Sequence, residues 1–156
     1  MANKIYLASP LGFSPETKSY LHKVKLRLID QGFRIFDPWE QNKCDKEIEA
    51  AFANDSFKER VAQFKSIASS IGVCNETGII QADIVFAILD GPEVDSGTAS
   101  EIGFGSALGK KCYGLRTDLR DTGDFVGSPI NIQVLHFIER TGGKLFRNIN
   151  EIEIAL

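Results

Sequence analysis

What this sequence has little of narrows its chemistry first. It holds three cysteines, Cys44, Cys74 and Cys112, in 156 residues. They stand far apart, odd in number and without a CxxC pair, which excludes a disulfide framework and points to reduced, structural thiols. The two histidines, His22 and His136, have no partner at metal-ligand spacing, so no metal and no cofactor is expected. There is no GxxxxGK(S/T) phosphate loop and no GxSxG nucleophile elbow. No apolar run approaches the ~20 residues that a membrane span requires. Met1-Ala2-Asn3-Lys4 runs straight into a short apolar stretch, unlike a signal peptide, so a cytoplasmic location is expected. A strong charge bias is missing too. Eighteen basic against 21 acidic residues give a net charge of −3, and no bulk attraction draws such a chain to nucleic acid polymers or anionic membranes. The composition favours a small-molecule partner.

What is present is ordinary globular material. Apolar residues make up 43% and charged residues 25%, and the length suits one domain over 1–156 with its own core. Short apolar runs alternate with helical periodicity. Strands are expected over 4–9, 33–36, 83–89, 111–115 and 144–147. The run from Asp83 to Leu89 is apolar on both faces, as a central parallel strand must be. A helix should open at Ser14-Pro15, with Ser14 as cap and Pro15 at its first position, and bury Leu21, Val24, Leu28 and Ile29. Residues 45–71 read as helical with a restart at Ser56-x-x-Glu59. Further helices are expected over 76–81, 98–108, 130–140 and 150–156. Strands alternating with helices imply an α/β fold, a flavodoxin-like (Rossmann-like) three-layer sandwich on a five-stranded parallel sheet. Ligands of such folds bind beyond the carboxyl ends of the strands, where loops 8–14, 37–43 and 90–97 should converge.

The densest chemistry lies in the stretch from Asp90 to Gly103. It places Asp90, Glu93, Asp95 and Glu101 around the carboxyl end of the central strand, with Asp95 and Glu101 straddling a loop-to-helix junction. A bland reading competes: Thr98-x-x-Glu101 matches a capping box, and Asp95 can bond its own backbone. Spacing alone leaves both open. Tyr6, within the first strand, could orient a carboxylate or simply fill the core. Phe13 and Trp39 sit on the loops after strands one and two, where aromatics can stack on a base or lid the core. Gln41 is a further candidate on the second loop. Asn75 could read a base edge or cap a helix. Gly103 and Gly105 lie within a helix rather than a strand-to-helix turn, so they read as close-packing glycines, not a dinucleotide fingerprint.

Four segments, in order, resemble the nucleoside 2-deoxyribosyltransferase family. Lys4 to Pro10 resembles its opening strand with a tyrosine. Gly78 to Val85 resembles the entry to its central strand. Asp95-Ser96-Gly97-Thr98-Ala99-Ser100-Glu101 resembles its signature of acidic residue, glycine and nucleophilic glutamate. Ser128-Pro129-Ile130-Asn131 resembles its C-terminal Pro-x-Asn motif. The resemblance implies that Glu101 attacks the anomeric carbon of a 2′-deoxynucleoside, that Tyr6 holds it, and that Asp95 assists at the sugar hydroxyls or the departing base. Phe13, Trp39, Gln41, Asn75 and Gly97 would line the substrate site. Asn131 would bind the 5′-hydroxyl in a neighbouring subunit, so a homo-oligomer with shared sites is implied. Partners would be 2′-deoxynucleosides and free nucleobases. Some family members carry aspartate where Asn75 aligns, which leaves base preference open. Two other readings fit less of the chain: a nucleoside 5′-monophosphate N-glycosidase on the same fold, and a non-catalytic nucleotide-ligand sensor.

Overall fold

The computed structural model describes residues 3–155. Five short parallel strands form one sheet: β1 (Lys4–Ala8), β2 (Arg34–Phe36), β3 (Ile84–Ile88), β4 (Lys111–Leu115) and β5 (Leu145–Phe146), in the order β2-β1-β3-β4-β5. The register pairs Tyr6 with Phe36 on one side and with Val85 on the other. Strand order reverses between β1 and β3, which opens a crevice above their carboxyl ends.

Alternation along the strands makes the two outer layers. Ile5, Leu7, Ile84, Phe86, Ile88 and Leu115 face one side, where α1 (Lys18–Ile29) buries Leu21, Val24 and Leu28 against them. Tyr6, Ala8, Val85, Ala87 and Cys112 face the other, beneath α5 (Ser96–Ala107) and α6 (Ile132–Arg140). Full burial of each large aliphatic side chain contributes roughly 1.5–3 kcal/mol, so these two clusters carry the fold. Gly105 permits the close approach of α5: a Cβ there would lie 2.5 Å from Val85 Cγ2. The sandwich expected from the sequence is the one found. No helix among the described residues is long and apolar enough to cross a membrane.

Between β2 and β3 the chain forms α2 (Pro38–Gln41), α3 (Asp45–Phe52) and α4 (Phe57–Gln81). Ser56 caps α4, its Oγ accepting from Glu59 N at 3.4 Å, so the expected restart occurs there. Four expectations need correction. Ile29, expected on the buried face of α1, is exposed at the end of that helix. Residues 76–81 are not a separate helix but the last turns of α4. Asn75 and Glu76 do not break the ladder because the helix must continue to seat Gly78 against Phe36 and bury Ile79. Ser14 makes no side-chain cap. Pro15–Thr17 is a 3₁₀ turn, and the Thr17 hydroxyl donates to the Leu11 and Ser14 carbonyls instead. The C-terminal segment is not a helix. A 3₁₀ turn at Ile149–Glu151 leads into an extended stretch in which Ile152 and Ile154 alternate inward, a period of two rather than 3.6. Arg27, Gln31, Lys111 and Tyr113 bond its carbonyls at 3.0 Å, and Leu156 lies outside the described residues.

Candidate active site

Three strand ends meet at the crevice. After β1 the chain turns through a 3₁₀ segment, Leu11–Phe13. After β2, Asp37 caps α2 by accepting from Trp39 N at 3.0 Å and also takes an ion pair from Lys25 at 3.0 Å. After β3, the loop from Leu89 is fixed from below. Asp90 Oδ1 accepts from the Thr117 and Asp118 amides at 2.6 and 2.7 Å, and its Oδ2 accepts from the Tyr20 hydroxyl at 2.9 Å. Arg116, fully buried, donates to the carbonyls of Leu89, Gly91 and Arg120. Asp90 therefore serves the scaffold.

A cavity of about 300 Å³ fills the crevice, at the lower end of small-ligand sites. Glu101, on the second turn of α5, lines it and accepts a hydrogen bond from the Tyr6 hydroxyl. Tyr6 reaches it because β1 turns that side chain toward α5, and its ring is wholly buried and stacked on Phe36 at 5.5 Å. Burial pushes the Glu101 carboxyl up to about 7; the Tyr6 hydrogen bond opposes the rise and the charge of Asp95 adds to it. Burial and then the negative charge of Glu101 hold the Tyr6 phenol well above its usual range, so the hydroxyl stays a donor.

Asp95 lines the same cavity and is also the cap of α5, its Oδ2 accepting from Thr98 N at 2.9 Å and Thr98 Oγ1 at 3.0 Å. The capping box read at Thr98-x-x-Glu101 does not form, since the cap stands three residues earlier and Glu101 turns to Tyr6. Gly97 lies on the wall, where a Cβ would be 3.1 Å from Asp95 Oδ2. Phe13 and Trp39 meet edge to face at 4.4 Å over one side, with Trp39 Nε1 donating to Ser9 O at 2.8 Å. Asn75, from α4, lines the cavity as well.

Two candidates stand elsewhere. Gln41 borders a separate hollow with Lys4, Arg34 and Phe36. Its neighbour Asn42 lines the cavity instead, because one residue of helical advance turns a side chain by about 100°. Asn131 lies in a third hollow with Glu93 and Asp124 and caps α6, its Oδ1 accepting from Gln133 N at 3.0 Å and Val134 N at 3.3 Å. The sequence reading passed over Asn42, Ile48, Ile71 and Thr98. Asn42 follows Gln41 on an already suspected loop, but no local signal separates the two. Among the described residues, no three histidine, cysteine or carboxylate side chains are grouped to hold a metal.

No curated protein sequence matches the chain. Among solved structures, a 2-deoxyribosyltransferase of Bacillus psychrosaccharolyticus is 28% identical, over 95% of this chain and 88% of that one, at a TM-score of 0.59. A 2-desoxiribosyltransferase of Leishmania mexicana is 23% identical, over 95% and 92%, at 0.61. A CMP N-glycosidase of Clostridium botulinum is 15% identical, over 96% and 94%, at 0.51, a likeness of fold alone. The nucleoside 2-deoxyribosyltransferase family model matches residues 5–133, which include Tyr6, the cavity and Glu101, and the chain belongs to that family.

Proposed function

We propose that this protein exchanges the base of 2′-deoxynucleosides by double displacement, with Glu101 as nucleophile. The observation that carries the reading is that Glu101, bonded by the buried Tyr6 hydroxyl, lines a cavity at the strand switch point. Expelling a base from deoxyribose passes through an oxocarbenium-like state. A carboxylate beside the anomeric carbon stabilises that cation and collapses onto it, forming a glycosyl ester as the C–N bond breaks, as in retaining glycosidases. A second base attacks the ester carbon from the face the first one left, and the Glu101 carboxylate departs. Two inversions give net retention. Asp95, with one oxygen bonded to Thr98, assists at the sugar or the departing base.

Asp45, Asp95 and Glu101 supply the charge along the cavity, and these carboxylates repel a phosphate, which favours a nucleoside over its 5′-monophosphate. Incubation with deoxyinosine and free adenine tests the proposal. Deoxyadenosine and hypoxanthine are the expected products. Turnover confined to a monophosphate, giving free base and sugar phosphate, would replace transfer by hydrolysis of nucleotides. Binding with no turnover of either would leave a sensor.

The 5′-hydroxyl of the sugar is assigned to Asn131 of a neighbouring copy, since Asn131 borders a different hollow from the Glu101 of its own chain. Val134 and Ile138 of α6, and Ile130 just before it, are buried within the chain, while Phe52, Phe57 and Val61 on α3 and α4 are exposed. Mixing inactive Glu101→Ala chains with inactive Asn131→Ala chains should restore activity on exchange. An active monomer would refute the shared site.

A further inference from the structure

The cavity contains a pair of amides whose orientation is fixed by the protein. Asn42 Nδ2 donates to Pro38 O at 2.9 Å and to Asn75 Oδ1 at 3.1 Å. A primary amide nitrogen has two hydrogens, and both are thereby committed. Asn42 Oδ1 is left as an acceptor, and Asn75 Nδ2 as a donor, on side chains that both line the cavity. Turning either amide alone breaks the bond between them, and turning both together sets Asn42 Oδ1 against the Pro38 carbonyl. The wall therefore presents one donor and one acceptor in a fixed order.

That order has a direction relative to the chemistry. Asn75 also borders the adjoining hollow shared with Gly97 and Glu101, whereas Asn42 lies on the α2 side with Pro38 and Cys44. A base whose sugar carbon meets Glu101 presents its ring acceptors near the glycosidic bond, purine N7 or N3 or pyrimidine O2, to the Asn75 donor. Its exocyclic group, at purine C6 or pyrimidine C4, reaches toward the Asn42 acceptor. An amino group there donates to Oδ1. An oxo group sets two acceptors against each other. Asparagine is suited to the N6/N7 edge of adenine for the same reason.

Resting on the deoxyribosyl transfer argued above, we infer that Asn42 and Asn75 form a polarity-locked reader that selects amino bases, adenine and cytosine, over their oxo counterparts, hypoxanthine and uracil. Asn42 is the specificity-determining member, because it both supplies the acceptor and holds Asn75 in place. The reader is neutral at every working pH, so it selects by hydrogen-bond order and contributes no proton to the departing base.

The test is competition between acceptor bases for one common deoxyribosyl donor, adenine against hypoxanthine and cytosine against uracil. An acceptor covered by the bound base and left facing another acceptor costs enough to give a preference of roughly 10- to 100-fold for the amino base in each pair. In Asn42→Ala both ratios should fall toward parity, since the acceptor is gone and Asn75 is free to turn. Equal incorporation, or a preference for the oxo base, in the wild-type enzyme would overturn the inference while leaving transfer intact. If no base is incorporated at all, transfer itself has failed. The reader is then judged by calorimetric affinities of the free bases, where adenine no tighter than hypoxanthine refutes it.

Discussion

The two walls of the cavity are built differently. The wall that carries Glu101 is core: Tyr6 and Ile102 are wholly buried and Thr98 is 2% exposed, so Glu101 stands on a helix packed directly against the central strands. The opposite wall comes from α2, α3 and α4, where Phe52 and Phe57 are 68% and 72% exposed and α4 buries only Gly78 and Ile79. Bond-breaking chemistry needs its groups held within fractions of an ångström, and dense packing provides that. Recognition of the leaving group tolerates a wall held by a few hydrogen bonds. Changes on the first wall should therefore strike the rate of chemistry, and changes on the second should strike binding and selectivity.

The largest effect is expected at Glu101. Glu101→Ala should lower kcat by several orders of magnitude with the fold retained, because the covalent route is removed. Stability gives an independent readout. Glu101 has a folded-state value of about 7, above the ordinary 4.5, so the folded state favours its protonated form. The stability that this group contributes is complete below pH 4.5 and is lost as pH rises through 7. Glu101→Gln, neutral throughout, should match the wild type near pH 4 and exceed it at pH 8 by on the order of 2 kcal/mol in thermal or denaturant unfolding. A folded Glu101 variant with near-normal turnover would end the nucleophile assignment. Equal stability at pH 8 would mean that Glu101 is better solvated than its burial indicates.

Tyr6→Phe comes next. The ring and its stacking on Phe36 remain while the hydroxyl bonded to Glu101 is lost. A loss of roughly 10- to 1,000-fold in kcat is expected for one such hydrogen bond. A purely structural tyrosine would not move the pH profile. Here the hydroxyl lowers the Glu101 value, so the rise of kcat/KM with pH, centred near 7 in the wild type, should move to higher pH in the variant. An unshifted profile with reduced stability would make Tyr6 a core residue only.

The same contrast governs what could be read in advance. The Glu101 wall was legible in part: the run from Asp90 to Gly103 marked Asp95 and Glu101 at a loop-to-helix junction and Tyr6 was singled out on β1, but the cap was read at Thr98 where Asp95 holds it, and only the packed sheet turns Tyr6 to Glu101. The base wall was only partly legible. Phe13, Trp39 and Asn75 were anticipated, but Gln41 was chosen where Asn42 is the lining residue, since only the exact phase of the four-residue α2 decides between them. The unbroken run of α4 through Asn75 depends on Gly78 meeting Phe36, a tertiary contact invisible to local pattern. The C-terminal strap reads locally as a helix because the groups that hold it extended are distant in sequence, Arg27 and Gln31 by more than 120 residues and Lys111 and Tyr113 by more than 40.

The smallest expected effect isolates the second wall. Gly12 carries no Cβ, and one built there would lie 2.0 Å from Trp39 Cδ2. Its backbone does not adopt a positive φ, so alanine introduces a steric change without backbone strain. Trp39 is 38% exposed and can yield, although it is tethered by Nε1 to Ser9 O at 2.8 Å. Gly12→Ala should therefore push the indole rather than unfold the chain, breaking the edge-to-face contact with Phe13. An aromatic contact of this kind is worth about 0.5–1.5 kcal/mol, so KM for the nucleoside should rise by up to about tenfold while kcat changes little. The pH profile should keep its midpoint near 7, because Tyr6 and Glu101 are untouched. If Gly12→Ala instead lowered kcat or shifted that midpoint, the two walls would be mechanically coupled, and the base side would have to be counted as part of the chemistry.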